Sequence, residues 1–167
     1  ATSLDLPTLA SIGGSVTVSN ASRLAQASFP AVTTIGGSAD FYNNAKLASV
    51  GFPSLVSLGG QLRVDNSALL GAMSFPVLAT VGTGLEIANN PTLPAVSFPA
   101  LISVGGELAI GSNLVLSNLD VPSLTACSYF NVNNNPHLPT CQATAIAAHA
   151  GTTLITIFNN DSSATCP

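Results

Sequence analysis

GFPSLVSLGG, at residues 51–60, is one copy of a phrase that returns as SFPAVTTIGG at 28–37, SFPVLATVGT at 74–83 and SFPALISVGG at 97–106. Proline is its ruler. Pro7, Pro30, Pro53, Pro76, Pro99 and Pro122 stand 23 residues apart, a period that belongs to solenoids and propellers. Before each proline comes an apolar residue: Leu6, Phe29, Phe52, Phe75, Phe98 or Val121. Two residues after it come Leu9, Val32, Leu55, Leu78, Leu101 and Leu124, and three further on Ile12, Ile35, Leu58, Val81, Val104 and Cys127. Gly13-Gly14, Gly36-Gly37, Gly59-Gly60 and Gly105-Gly106 then read as a turn, with Gly82-Thr83 as a weaker copy.

After the turn the pattern alternates: Val16/Val18, Ala39/Phe41, Leu62/Val64, Leu85/Ile87 and Leu108/Ile110. Period-2 alternation over so few residues predicts a half-buried strand. An Asn column follows (Asn20, Asn43, Asn66, Asn89), with a second beside it (Asn44, Asn90, Asn113), and Leu24, Leu47, Leu70, Leu93 and Leu116 close the coils. The last copy drops one residue at the turn and resumes as Phe130/Val132, Asn134, Leu138 and Cys141. One such unit cannot bury its apolar edge alone, so coils must stack and share a core. The expectation is an all-β, right-handed parallel β-solenoid of about six 23-residue coils, a rod about 30 Å long at the strand spacing of about 4.8 Å. Inward Asn amides would satisfy backbone groups at the corners of neighbouring coils.

Composition narrows the function. Only 6% of the 167 residues are charged, against about 25% in ordinary globular proteins, so Ser, Thr, Asn and Gly must cover the surface. Three basic residues and a net charge of −4 argue against nucleic acid. No apolar run is long enough for a membrane span. No signal peptide is visible and the chain starts at Ala1, as expected of a processed chain or an excised piece.

The whole chain, 1–167, reads as a single solenoid domain, with repeats over 4–140 and a C-terminal cap over 141–167. In PTCQATAIAAHAG, Thr140 is the expected N-cap, the Ala-rich run a short helix over the last coil, and Gly151 its C′ residue. TTLITIF then reads as a final strand. Cys141 and Cys166 bracket this cap, so their bridge is the preferred pairing, with Cys127–Cys141 its main rival. Cys127 falls in an apolar column and is expected free and buried. A disulfide points to an oxidising location, secreted or at the cell surface. The first coil has no comparable cap, and its open edge invites self-association.

The unit FPSLVSLGGQLRVDN resembles the receptor L-domain class of leucine-rich-like β-solenoids, which includes the ligand-binding lobes of insulin/EGF-type receptors and fungal GPI-anchored cell-wall proteins. The closing NNNPHLPTCQATAIAAHAG…FNNDSSATC looks more like secreted repeat proteins of bacteria such as myxobacteria. The resemblance implies a solenoid at a cell surface with non-catalytic binding or cell-wall roles. It maps no binding residue onto this chain, which lacks the receptors' cysteine-rich module.

If Leu62 and Val64 point inward, Gln61, Arg63 and Asp65 point outward. The same face then carries Asp40 and Tyr42, Glu86, and Glu107, so half of the ten charged side chains gather there. Asp40, Arg63 and Glu86 form an acid–base–acid column. One reading is a salt-bridge ladder that fixes register and contributes about 0–1 kcal/mol per pair. The other is a recognition patch of Asp40, Tyr42, Arg63, Asp65 and Glu86, with Tyr42 and Arg63 as hot-spot types. Neither needs a cofactor or metal: Arg63 separates the carboxylates, no nucleophile is marked, and His137 and His149 have no partner at ligand spacing. The expected function is a non-catalytic interaction or adhesion module with a protein or polysaccharide partner. The alternatives are a self-assembling structural subunit and, more remotely, an ice-binding protein, against which the mixed columns of this face argue. Asn20-Ala21-Ser22 and Asn160-Asp161-Ser162 are N-glycosylation sequons in a eukaryotic secretory pathway.

Overall fold

The computed structural model describes residues 1–166. Its elements repeat coil by coil. The first coil holds β1 (Ser3–Asp5), β2 (Ser11–Ile12) and β3 (Val16–Ser19), the second β4 (Gln26–Ser28), β5 (Thr34–Ile35) and β6 (Ala39–Tyr42). The third holds β7 (Ser49–Gly51), β8 (Ser57–Leu58) and β9 (Leu62–Asp65), the fourth β10 (Ala72–Ser74), β11 (Thr80–Val81) and β12 (Leu85–Ala88). The fifth holds β13 (Ala95–Ser97), β14 (Ser103–Val104) and β15 (Glu107–Gly111), the sixth β16 (Asn118–Asp120) and β17 (Tyr129–Asn133). A seventh turn contains helix α1 (Thr140–Ala147) and β18 (Ile155–Phe158). The proline count of six coils is therefore one short, because the closing segment adds its own strand to the main sheet.

Every pairing is parallel. The main sheet runs β3-β6-β9-β12-β15-β17-β18 and the second face β2-β5-β8-β11-β14. The third face divides into β1-β4-β7-β10 and β13-β16. The division has a covalent cause. Gly71 N–H donates to Ala48 O and Ser117 N–H to Pro94 O, but Pro94 has no N–H to continue the series.

The corners explain the repeated phrase. Val32, Leu55, Leu78 and Leu101 each donate a backbone N–H to the carbonyl of the Phe three residues earlier. This closes a β-turn with proline at its second position, where a fixed φ is favourable. At the next corner Asn20, Asn43, Asn66, Asn89, Ser112, Asn134 and Asn159 all take the left-handed conformation, with φ of 52–56°. Asn tolerates that region better than other side chains. Inside, Phe29 stacks on Phe52 at 4.4 Å, and Phe75 and Phe98 follow at 5.5 and 5.4 Å. Phe41 meets Phe29 and Phe52 edge-on. All five are fully buried. In the first coil the equivalent residues are open, with Leu6 38% and Leu9 37% exposed where Phe29 and Val32 are at 0%.

Two expectations about the cap need correction, and the Gly-Gly turns have a further cause. The chain bends at each Gly-Gly pair as expected, but the pairs do not serve left-handed backbone, since Gly151 alone among the chain's glycines has positive φ. They are needed because neighbouring coils touch there: a Cβ on Gly36, Gly59, Gly82 or Gly105 would strike the carbonyl oxygen of the glycine one coil earlier. Thr140 is the first helical residue rather than the N-cap. Pro139 holds that position without a side-chain cap bond, and the helix ends on Ala148 rather than at Gly151. Gly151 turns the chain later, with φ 69°.

Helix α1 occupies the place of a third-face strand in the seventh turn. Gln142 acts as a substitute backbone there, its Oε1 accepting from Leu119 N–H at 3.3 Å and its Nε2 donating to Asn118 Oδ1 at 2.9 Å. Cys141 and Cys166 are joined as preferred, and Cys127 is free and buried. Burial pushes the Cys127 thiol above its ordinary value.

The glycine contacts make a direct test. Gly59→Ala should cost about 1–3 kcal/mol by overpacking. Gly51→Ala, whose Cβ meets nothing within 4 Å, should be neutral or add up to about 1 kcal/mol. Equal urea midpoints for the two variants would show that coil contact does not select glycine.

Candidate functional site

The outward face of the main sheet collects the expected residues. Pairing sets Asp40 opposite Arg63 and Arg63 opposite Glu86, with Tyr42 opposite Asp65 in the next column. Alternation along each strand buries Phe41, Leu62, Val64, Leu85 and Ile87 and turns the polar residues between them outward.

Arg63 does not serve the expected ladder evenly. Its Nη2 lies 2.6 Å from Oδ2 of Asp65 on the same strand, and its guanidinium sits 5.0 Å over the Tyr42 ring. Its Nε approaches Glu86 Oε2 at 3.5 Å but makes no hydrogen bond, so that contact is electrostatic. Asp40 forms no ion pair among the described residues. Asp65, expected to be open, is 3% exposed, covered by Arg63 and by Asn89, whose Nδ2 donates to Oδ1 at 3.1 Å. Tyr42, Arg63, Asp65 and Asn89 thus form one latch across three coils.

The hydrogen bond to Asp65 raises the Arg63 value further, against the opposing effect of burial. Burial pushes both Asp40 and Glu86 above their ordinary values while Arg63 pulls them down, and the neighbouring carboxylates add to the rise at Glu86. Four carboxylates against one guanidinium leave the face acidic.

The face continues where the sequence reading stopped. Asn159 Nδ2 donates to Asn134 Oδ1, Asn134 Nδ2 to Asn133 Oδ1, Asn133 Nδ2 to Asn131 Oδ1, and Asn131 Nδ2 to Glu107 Oε1 at 2.8 Å. This is a one-way chain of amides ending on a carboxylate. Between it and the latch lies an open depression of about 470 Å³, with Gly84 and Ala109 in its floor and Gln61, Glu86, Glu107 and Asn131 around it. The Asn-rich run NVNNN was the available signal for the chain. The register sets Asn131 opposite Ala109 and Tyr129 opposite Glu107, so the bond from Asn131 to Glu107 is diagonal and column alignment alone does not reveal it. The second face, whose apolar column was expected, also carries a hydroxyl column of Ser11, Thr34, Ser57, Thr80 and Ser103, one from each short strand.

Elsewhere, His149 Nδ1 lies 2.8 Å from Leu124 O, and His137 lies near enough to Asp161 to help lower that carboxyl, after the Ser163 hydrogen bonds. Among the described residues no group of three or more His, Cys, Asp or Glu could hold a metal ion, and no helix is long and apolar enough to cross a membrane. Comparison with protein-family models, with curated proteins and with solved structures found no match.

Because the folded chain holds the Glu86 proton more tightly than the unfolded chain, stability falls as pH rises from the ordinary value of 4.5 through the raised folded value. Asp40 acts likewise from 3.8. Glu86→Gln should flatten the decline of the urea midpoint just above pH 4.5. An unchanged slope would assign that pH dependence to other groups.

Proposed function

We propose that this protein is a non-catalytic interaction or adhesion module of the receptor L-domain type. It works outside the cell or at its surface and binds through the outer face of the main sheet. The observation that carries this reading is the distribution of charge. Five of ten charged side chains (Asp40, Arg63, Asp65, Glu86 and Glu107) lie on one face of a chain that otherwise avoids charge. Core columns explain the repeated phrase, but they do not require these residues. Charged and aromatic side chains concentrated on a rigid sheet, all of them at least partly open except Asp65, suit recognition. The Cys141–Cys166 disulfide supports an oxidising location.

The test is binding to a glycan array and to intact cells, compared between the protein and an Asp40→Ala/Glu86→Ala/Glu107→Ala variant. That variant leaves the Tyr42–Arg63–Asp65 latch in place, so its fold should survive. Binding should fall about tenfold or more, a loss of about 1.4 kcal/mol. Undiminished binding by the folded variant would remove this face as the site.

A further inference from the structure

One corner of the solenoid lacks the side chain that the others share. At five corners an asparagine of the next coil accepts a backbone N–H through its Oδ1. Its Nδ2 donates to the carbonyl three residues before that N–H. These asparagines are Asn44, Asn90, Asn113, Asn135 and Asn160. Between the second and third coils the same place belongs to Ser67, whose side chain ends where the amide of an asparagine would begin. Ser67 and Asn44 are both fully buried.

Three polar groups are therefore left with bonding capacity to spare, and by equivalence with the other corners they face one another. Asn44 N–H finds no acceptor among the described residues. Ser67 Oγ has no hydrogen-bond partner. Phe41 O keeps the lone pair that Val18, Val64 and Ile87 each give to an amide. A buried N–H left orphaned is rare in native structures. Whatever meets this set must accept from an N–H and donate to a carbonyl, which excludes both a metal ion and a halide. It must also be small, since the amide that serine lacks takes the room of one water, about 30 Å³.

We propose that this corner binds one buried water molecule as a structural ligand. The water accepts from Asn44 N–H as Asn90 Oδ1 accepts from Ser67 N–H. It donates to Phe41 O as Asn90 Nδ2 donates to Val64 O, and it accepts from the Ser67 hydroxyl. Such a set of bonds, about three, is the usual number for a buried water. The same two coils are also held from outside, by the Arg63 guanidinium 5.0 Å over the Tyr42 ring. A hydrated corner with an external brace thus stands where the other junctions use an amide. This holds whatever the outer face binds.

Cross-relaxation between backbone amides and water, measured by NMR on the isotope-labelled protein, tests it. The Asn44 amide should show a peak at the water frequency with the sign of a long-lived bound water. The amides of Asn90 and Asn113, which meet an asparagine oxygen instead, should show none. Ser67→Asn should abolish the Asn44 peak by putting an amide in the water's place. Ser67→Ala should keep it, because a buried water is held by as few as about two partners. No peak at Asn44 in the native protein would overturn the inference. So would a peak that survives Ser67→Asn, which would place the water elsewhere. A peak lost in Ser67→Ala would overturn it as well, since it would then report the serine hydroxyl proton.

Discussion

Every coil of the first six except the second is clamped by an asparagine reaching back from the coil that follows, buried in all but the last of them, Asn160. Asn90 Oδ1 accepts from Ser67 N–H while its Nδ2 donates to Val64 O, and Asn113 does the same for Asn90 N–H and Ile87 O. Asn44, Asn135 and Asn160 repeat the geometry on Ala21, Asn113 and Asn135. The groups being clamped flank the left-handed corner residue, where the chain turns out of the sheet and its ladder bonds end. A buried backbone group left unpaired costs about 1–3 kcal/mol, so the amide column lets a sharp corner be buried at all. Glycines one corner earlier permit the same close approach from the other side.

This constraint explains why the interior is monotonous and the face variable. Stacked columns of Phe, Leu, Asn and Gly hold register through the central coils, so the outward positions are free to differ. Ser19, Tyr42, Asp65, Ala88, Gly111 and Asn133 occupy one outward column with no chemistry in common. A rigid parallel sheet displays them at fixed spacing, which is the property a binding surface needs.

Much of the architecture was legible because a 23-residue period puts each residue type in a column with one physical duty. The alternating core residues, the inward amides and the buried Cys127 all followed from it, and the Cys141–Cys166 bridge followed from two cysteines bracketing the cap. What escaped detection depended on distances between side chains. Column arithmetic sets Asp40, Arg63 and Glu86 in line, but it cannot show that Arg63 prefers Asp65 on its own strand. The glycines are turn residues, as expected, but sequence does not show how closely the next coil lies against them. The seventh turn was undercounted because a helix replaces one of its strands and carries none of the repeat's phrase.

Ser67 interrupts the amide column, and its buried hydroxyl has no partner among the protein's own groups. An asparagine there would reach Asn44 N–H and Phe41 O in the manner of its neighbours. The most direct measurement is equilibrium urea unfolding of Ser67→Asn beside Asn90→Ala. If the ladder holds the coils together, Ser67→Asn gains about 1 kcal/mol and Asn90→Ala loses about 1–3 kcal/mol. A destabilised Ser67→Asn together with an unaffected Asn90→Ala would contradict it.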